Sequence, residues 1–158
     1  MDIRVGNGYD VHLLAPDLPF WLGGIKVEHT KGCVAHSDGD TLIHALCDAL
    51  LGALALGDIG KHFPDTSSEF KGIDSKILLK RTYDLILERG YSLVNADCTI
   101  LLQKPKIAPY IIPMRECLAS LLGVSVDRIS VKATTTEKAG FVGREEGIAV
   151  YATVLLNK

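Results

Sequence analysis

Asp10 and His12 stand two residues apart in the stretch "NGYDVHLL". In an extended strand, residues i and i+2 project from the same side, so a carboxylate oxygen and an imidazole nitrogen can face one ion. A solvent-exposed strand also needs polar residues, so this pair alone does not separate a metal site from an ordinary surface. His44 offers a third donor. At 100° per residue it lies about 200° around its helix from Leu42, away from an apolar stripe of Leu42, Leu46, Ala49 and Ala53. That placement favours a ligand over a core histidine. Asp48, one turn on, shares its face and is expected to accept from the ring nitrogen that does not hold metal. One carboxylate and two imidazoles with an open fourth position is the pattern of catalytic zinc, whereas structural zinc is closed by four protein ligands.

Other stretches suit phosphate. "HSDGD" precedes a helix start, where free backbone N–H groups and the macrodipole favour anions; Ser37 adds a hydroxyl, and Asp38 and Asp40 serve as turn former and N-cap. "KATTTEK" puts three threonines at a strand end, donors for phosphate oxygens, with Glu137 as a carboxylate for a hard cation such as magnesium. Threonine is also simply a favoured strand residue. "GFVGREEG" supplies Arg144, either for an anion or for a surface pair with Glu145 or Glu146. In the chain-reversing "GDIGKHFPDT", Asp58 is a candidate acceptor of sugar hydroxyls and His62 is expected in solvent.

The elements that must carry these residues follow from periodicity. "DIRVGNGYDVH" starts as a strand, and "FWLGGIKVEH" reads as a strand or hairpin bent at its glycines. A first helix is expected from about Thr41 to Leu56, capped by Asp40. A second runs from Ser75 to Glu88, with Leu79, Tyr83 and Ile86 on its core face, and stops at Gly90. "ADCTILLQ" is a strand, "PKIAPYIIPMRECLASLLG" a proline-initiated helical region closed by Gly123, and "RISVKATTT" and "EEGIAVYATVLL" are final strands. The sum is one α/β (α+β) domain over residues 1–158, with helices over a mixed sheet. No G-x-G-x-x-G unit supports a dinucleotide fold. In the last strand Ile148, Val150 and Ala152 alternate with Ala149, Tyr151 and Thr153, leaving almost no charged face. A single helical layer leaves the second face bare, so a neighbouring subunit is expected to cover it.

Composition bounds the rest. The 158 residues suffice for one domain burying roughly 70% of its unfolded surface. Net charge is −2 with lysines and arginines scattered, which argues against a nucleic-acid partner. Four cysteines, none in a C-x-x-C, are expected as reduced core thiols. The most apolar run, "ALLGALALG", is too short to cross a bilayer, so no membrane partner is expected. Asp2 and Arg4 follow the first Met at once and no targeting segment is read; a cytoplasmic setting is expected, or a plastid-type organelle stroma had a transit peptide been removed.

In order along the chain, "DVH", "AHSDGD", "IHALCDALLGALALGDIGKHFPDT", "FKGIDS", "NADCTI", "PK", "KATTTEK" and "GREEGIA" resemble the 2-C-methyl-D-erythritol 2,4-cyclodiphosphate synthase family over essentially the whole length. The resemblance implies a ferredoxin-like α/β fold with helices on one face, assembled as a homotrimer with active sites between subunits. It implies zinc (or manganese or cobalt) on Asp10, His12 and His44, and magnesium (or manganese) on Glu137. It places His36 and Ser37 at the methylerythritol phosphate, Asp58 and Gly60 at the sugar, and Asp65 in a closing loop. Lys106 with the backbone near Leu102 and Ile107 would hold cytosine; Ala133, Thr134 and Thr135 would meet nucleotide and phosphates. The implied reaction is metal-assisted attack within a cytidine diphosphate substrate of the non-mevalonate isoprenoid pathway, with Asp48 and Thr135 in support and no general base. Arg144 would ring a central cavity that takes isoprenoid diphosphates in some members, but Tyr151 replaces a frequent glutamate there and narrows it. The same ligands would also suit a zinc-dependent phosphate-ester hydrolase, for which His36 is the near candidate base, or a non-catalytic binder of diphosphates.

Overall fold

The computed structural model describes all residues, 1–158. In chain order the elements are β1 (Ile3–Pro16), β2 (Phe20–Leu22), β3 (Ile25–Val27), β4 (Lys31–Cys33), α1 (Thr41–Ala53), α2 (Ile59–His62), α3 (Ser75–Glu88), β5 (Ser92–Leu101), α4 (Ile111–Leu122), β6 (Ile129–Thr134), α5 (Gly140–Gly143) and β7 (Gly147–Asn157). Five strands form a sheet in the order β4-β1-β7-β5-β6, and β2 and β3 pair as a separate hairpin. β7 runs antiparallel to both β1 and β5, while β5 and β6 are parallel and joined through α4. The sheet is therefore mixed, with α1, α3 and α4 on one face, as the periodicity predicts.

Strand alternation decides which face is covered. Ile148, Val150, Ala152, Val154 and Leu156 of β7 are all fully buried beneath the helices. β1 contributes glycine on that side: a Cβ on Gly6 would lie 1.8 Å from the Ala49 carbonyl oxygen, and one on Gly8 1.9 Å from that of Ala45. The missing side chains, met by alanines on the helix, let the α1 backbone lie directly on β1. The same strand face then continues to Asp10 and His12, which are thereby aimed at the N-terminal half of α1.

α1 is buried almost all round; of its residues only Asp48 and Gly52 reach solvent. This corrects the helical-wheel reading of His44, which is only 9% exposed although it lies off the apolar stripe. α3 packs against the side of α1 away from the sheet, so both faces of the helix are covered. The helix starts where expected. The buried Asp40 carboxylate accepts from Ile43 N–H at 3.0 Å and from the turn amides of Gly23 and Gly24 at 2.9 and 2.7 Å. Burial pushes the Asp40 pKa up, against the pull of those backbone N–H groups. α1 ends three residues before the expected Leu56, because Leu54 caps it and Ala55 turns to φ 55°. α3 has the expected limits, whereas α2 and α5 lie in stretches read as loops.

The other sheet face carries Ile3, Val5, Tyr9, Val11 and Leu13 of β1 and Tyr151 of β7, all exposed, with the Tyr9 and Tyr151 rings 4.7 Å apart. The bare apolar face expected from the last strand thus extends across β1. Cys33, Cys47 and Cys98 are buried and Cys117 is half-buried; all four are free thiols. No helix is long and apolar enough to cross a membrane.

Candidate active site

Asp10 and His12 on β1 meet His44 on α1. Asp10 Oδ2 lies 3.0 Å from His12 Nδ1 and 3.3 Å from His44 Nδ1, and one ligand atom from each residue falls within 4.8 Å of the others. Asp10 Oδ2 is nevertheless buried with no hydrogen-bond donor aligned on it. A carboxylate oxygen left in that state is costly unless a cation completes it, so the donor set fits a divalent metal. Burial alone would raise the Asp10 pKa, but the two imidazoles hold it below the ordinary value. Burial would likewise lower that of His44, and the Asp10 carboxylate more than reverses this, raising it.

The outer partners of His44 differ from the expectation. Its Nε2 meets Ser75 Oγ at 2.9 Å and Ser37 Oγ at 3.2 Å. Ser75 Oγ in turn donates to Asp38 Oδ1 at 2.5 Å, and Asp38 Oδ2 accepts from Ser75 N–H at 2.8 Å. Asp48 does not support His44 in this way; it accepts from Ile59 N–H at 2.7 Å and so ties α2 to α1. A helical wheel puts residues 44 and 48 on one face but says nothing of the segment packed there. Asp48→Ala is therefore expected to spare metal affinity, without the roughly 10–100-fold loss that follows removal of a histidine ligand's partner. It should instead speed amide exchange at Ile59, because α2 loses its anchor. Equal exchange with weaker metal binding would reverse that assignment.

A cavity of about 290 Å³ opens beside the triad, walled by His12, His36, Ser37, His44, Gly60 and Asp65 with Phe63 and Phe70. Asp58 is outside this wall; its Oδ1 accepts from Lys61 N–H at 2.9 Å and caps α2, which holds Gly60 in place. His62 is half-buried rather than in solvent, with Nε2 3.0 Å from the Leu56 carbonyl.

The remaining expected residues gather elsewhere. Leu102 N–H donates to the Thr134 carbonyl at 3.0 Å, and Thr135 Oγ1 donates to Glu137 Oε1 at 3.1 Å. Leu102 and Ile107 are buried, with the Leu102 N–H and the Ile107 carbonyl paired within the chain, while Lys106, Ala133, Thr134, Thr135 and Glu137 are exposed. Glu137 and Lys138 adopt left-handed backbone, φ 52° and 66°, turning the glutamate back over Thr135. In the sheet register Asp10, Val150, Ile100 and Ala133 stand side by side across β1, β7, β5 and β6. Three strand spacings, about 14 Å, therefore separate the triad strand from the threonine strand. One chain does not bring the two groups into one pocket. Arg144 lies at the surface and forks onto Glu146, at 2.7 and 3.2 Å, the surface-pair alternative of the sequence reading.

Comparison with known proteins places these features in context. A relative from Parabacteroides distasonis named 2-C-methyl-D-erythritol 2,4-cyclodiphosphate synthase is 59% identical over 158 residues, covering 100% of this chain and 98% of its own. The bifunctional IspDF from Campylobacter jejuni superposes with a TM-score of 0.95 at 47% identity, over 98% of this chain and 42% of that one. A structure of 2C-methyl-D-erythritol-2,4-cyclodiphosphate synthase in a CDP-bound form has a TM-score of 0.90 at 36% identity, covering 98% of this chain and 100% of that one. With the YgbB family model matching residues 3–157 as well, the likeness takes in both the β1–α1 triad and the threonine strand, and the chain belongs to the YgbB family.

Proposed function

We propose that the chain converts 4-diphosphocytidyl-2-C-methyl-D-erythritol 2-phosphate into 2-C-methyl-D-erythritol 2,4-cyclodiphosphate and CMP, as a phosphorus–oxygen lyase. The observation that carries this reading is the buried, donor-free Asp10 oxygen between His12 and His44 at the mouth of a cavity walled by His36 and Ser37. The names of the relatives give the product, and a relative solved in a CDP-bound form points to a cytidine nucleotide as the leaving part of the substrate. Asp10, His12 and His44 would hold zinc, or manganese or cobalt in its place, and Glu137 magnesium or manganese. When bound, these ions withdraw charge from the diphosphate and its leaving CMP.

The chain's own residues do the rest. His36 and Ser37 orient the 2-phosphate, and the hydroxyls and amides of Thr134 and Thr135 take up phosphate charge at the nucleotide end. Gly60 and Asp65 close the sugar side. A 2-phosphate oxygen attacks the β-phosphorus as the bond to CMP breaks. That nucleophile is already anionic, so no residue is needed to remove a proton; binding the substrate folded back supplies the proximity. The hydrolase alternative needs a base for water; His36 Nε2–H donates to the Ser67 carbonyl at 3.2 Å, which leaves Nδ1 as the nitrogen that would have to serve.

The separation of the two residue groups and the bare apolar sheet face support a homotrimer in which one subunit's triad meets its neighbour's threonine strand. Phosphorus NMR of the product tests the chemistry: a cyclic diphosphate and CMP are expected, and an open-chain phosphate would establish the hydrolase instead. Co-expression of His44→Ala chains with Thr134→Trp chains tests the shared site. Mixed trimers, verified by light scattering, should recover activity that neither parent has, and their inactivity would put both groups in one chain. Glu137→Gln should spare zinc and raise the half-saturating magnesium concentration about tenfold or more, equivalent to about 1.4 kcal/mol. An unchanged magnesium titration would remove Glu137 from the site.

A further inference from the structure

We propose that Asp38 and Ser75 are positioning residues that fix the tautomer of His44 and so set how tightly the triad holds its metal. The proposal rests on the reading of Asp10, His12 and His44 as ligands. Proton bookkeeping along the chain of contacts carries it. As a carboxylate Asp38 only accepts, and three donors converge on it: Ser75 N–H at 2.8 Å, Ser75 O–H at 2.5 Å and Asp40 N–H at 3.1 Å. A serine hydroxyl has one proton, and here it points at Asp38. Ser75 Oγ can therefore only accept from His44 Nε2, 2.9 Å away, and the ring proton belongs on Nε2. Ser37 Oγ, at 3.2 Å from the same nitrogen and accepting from Gly39 N–H, sits as a second, longer acceptor.

The relay matters because His44 is pulled from both sides. Its Nδ1 lies 3.3 Å from Asp10 Oδ2, so in the metal-free protein Asp10 competes for the ring proton. A proton on Nδ1 occupies the lone pair that a metal needs; a proton on Nε2 frees it. Asp38 and Ser75 oppose Asp10 from the far side of the ring. Ser75 is fully buried, so water does not take over its role. The same contacts join the segment carrying His36 and Ser37 to the start of α3, reinforced by Asp38 N–H to the Ile73 carbonyl at 3.1 Å and Gly72 N–H to the His36 carbonyl at 2.7 Å.

The test uses the full-length protein, nitrogen-15 NMR of its histidine rings without metal at about pH 8, and zinc affinity by chelator competition. The parent protein should show His44 protonated on Nε2. Ser75→Ala and Asp38→Asn should each shift proton density to Nδ1 and weaken zinc binding roughly 10–100-fold. Asp74→Ala is the control: Asp74 caps the same helix through Lys76 N–H at 2.9 Å without touching the relay. It should lower the melting temperature and leave zinc affinity alone. An Nδ1–H tautomer in the parent, unchanged zinc affinity in Ser75→Ala, or an equal loss in Asp74→Ala would each overturn the relay. A parent protein that binds no zinc would overturn the ligand reading itself, an outcome distinct from the other three.

Discussion

Replacing His44 by alanine is expected to leave the triad without zinc and to lower turnover by about 10³-fold or more, the scale of several kcal/mol of charge stabilisation at a metal. Two ligands remain on β1, but one carboxylate and one imidazole no longer surround an ion. The substitution also acts on the fold. His44 is buried between β1 and α3, and its loss removes a ring from a packed site and one of the two partners of Ser75 Oγ, which keeps its bond to Asp38. Losing a buried contact and opening a small cavity typically costs about 1–3 kcal/mol, so the variant should melt lower while keeping its secondary structure. Metal content, circular dichroism and rate have to be read together. One zinc per chain with undiminished turnover would sink the assignment of His44 as a ligand.

Gly8→Ala should be, with Gly6→Ala, among the most damaging small changes in the chain. The added methyl would stand 1.9 Å from the Ala45 carbonyl oxygen and 2.8 Å from the Ala49 amide, both backbone atoms with no rotamer to relieve them. β1 cannot retreat, because Gly8 pairs with Ala152 in the sheet centre, so α1 has to lift. Overpacking of this kind falls in the upper range of single substitutions, about 4 kcal/mol, a large part of a domain's whole stability. Lifting α1 also carries His44 away from Asp10 and His12, so residual folded protein should have lost its metal. Gly52→Ala is the matched control on the solvent side of the same helix. Its methyl would meet only the Asn7 carbonyl, at 3.8 Å, and removing a helical glycine should stabilise by about 0.5–1 kcal/mol. Equal melting temperatures for the Gly8 variant and the parent would refute the close approach of α1 to β1.

The triad was legible because its signal is local. Asp10 and His12 share a strand face by spacing alone, and His44 rides a helix whose start Asp40 announces. The face carrying Ile148, Val150 and Ala152 was equally plain from alternation. What escaped depends on segments far apart in sequence. Asp38 reads as a turn former and Ser75 as an ordinary first residue of a helix; only the packing of α3 over α1 brings the two together, 37 positions apart. Asp48 was misassigned for the same reason, since the Ile59 amide that claims it comes from the next element. His44 was read as lying off the core because a wheel drawn for one helix assumes one covered side, and α1 has two. Gly6 and Gly8 are ambiguous in a strand until the helix above them is known.

The buried thiols bear on when the metal arrives. In the folded chain burial pushes Cys33, Cys47 and Cys98 up to about 12, so at neutral pH they stay protonated and give zinc no thiolate. In the unfolded chain the same sulfurs return to an ordinary thiol pKa and become soft ligands that compete with the nitrogen and oxygen donors of the triad. Zinc added to a denatured chain then stabilises the wrong state, by mass action on whichever form binds it. If the triad holds zinc as proposed, folding first and loading second would remove that competition, since the sulfurs are hidden before the imidazoles are presented.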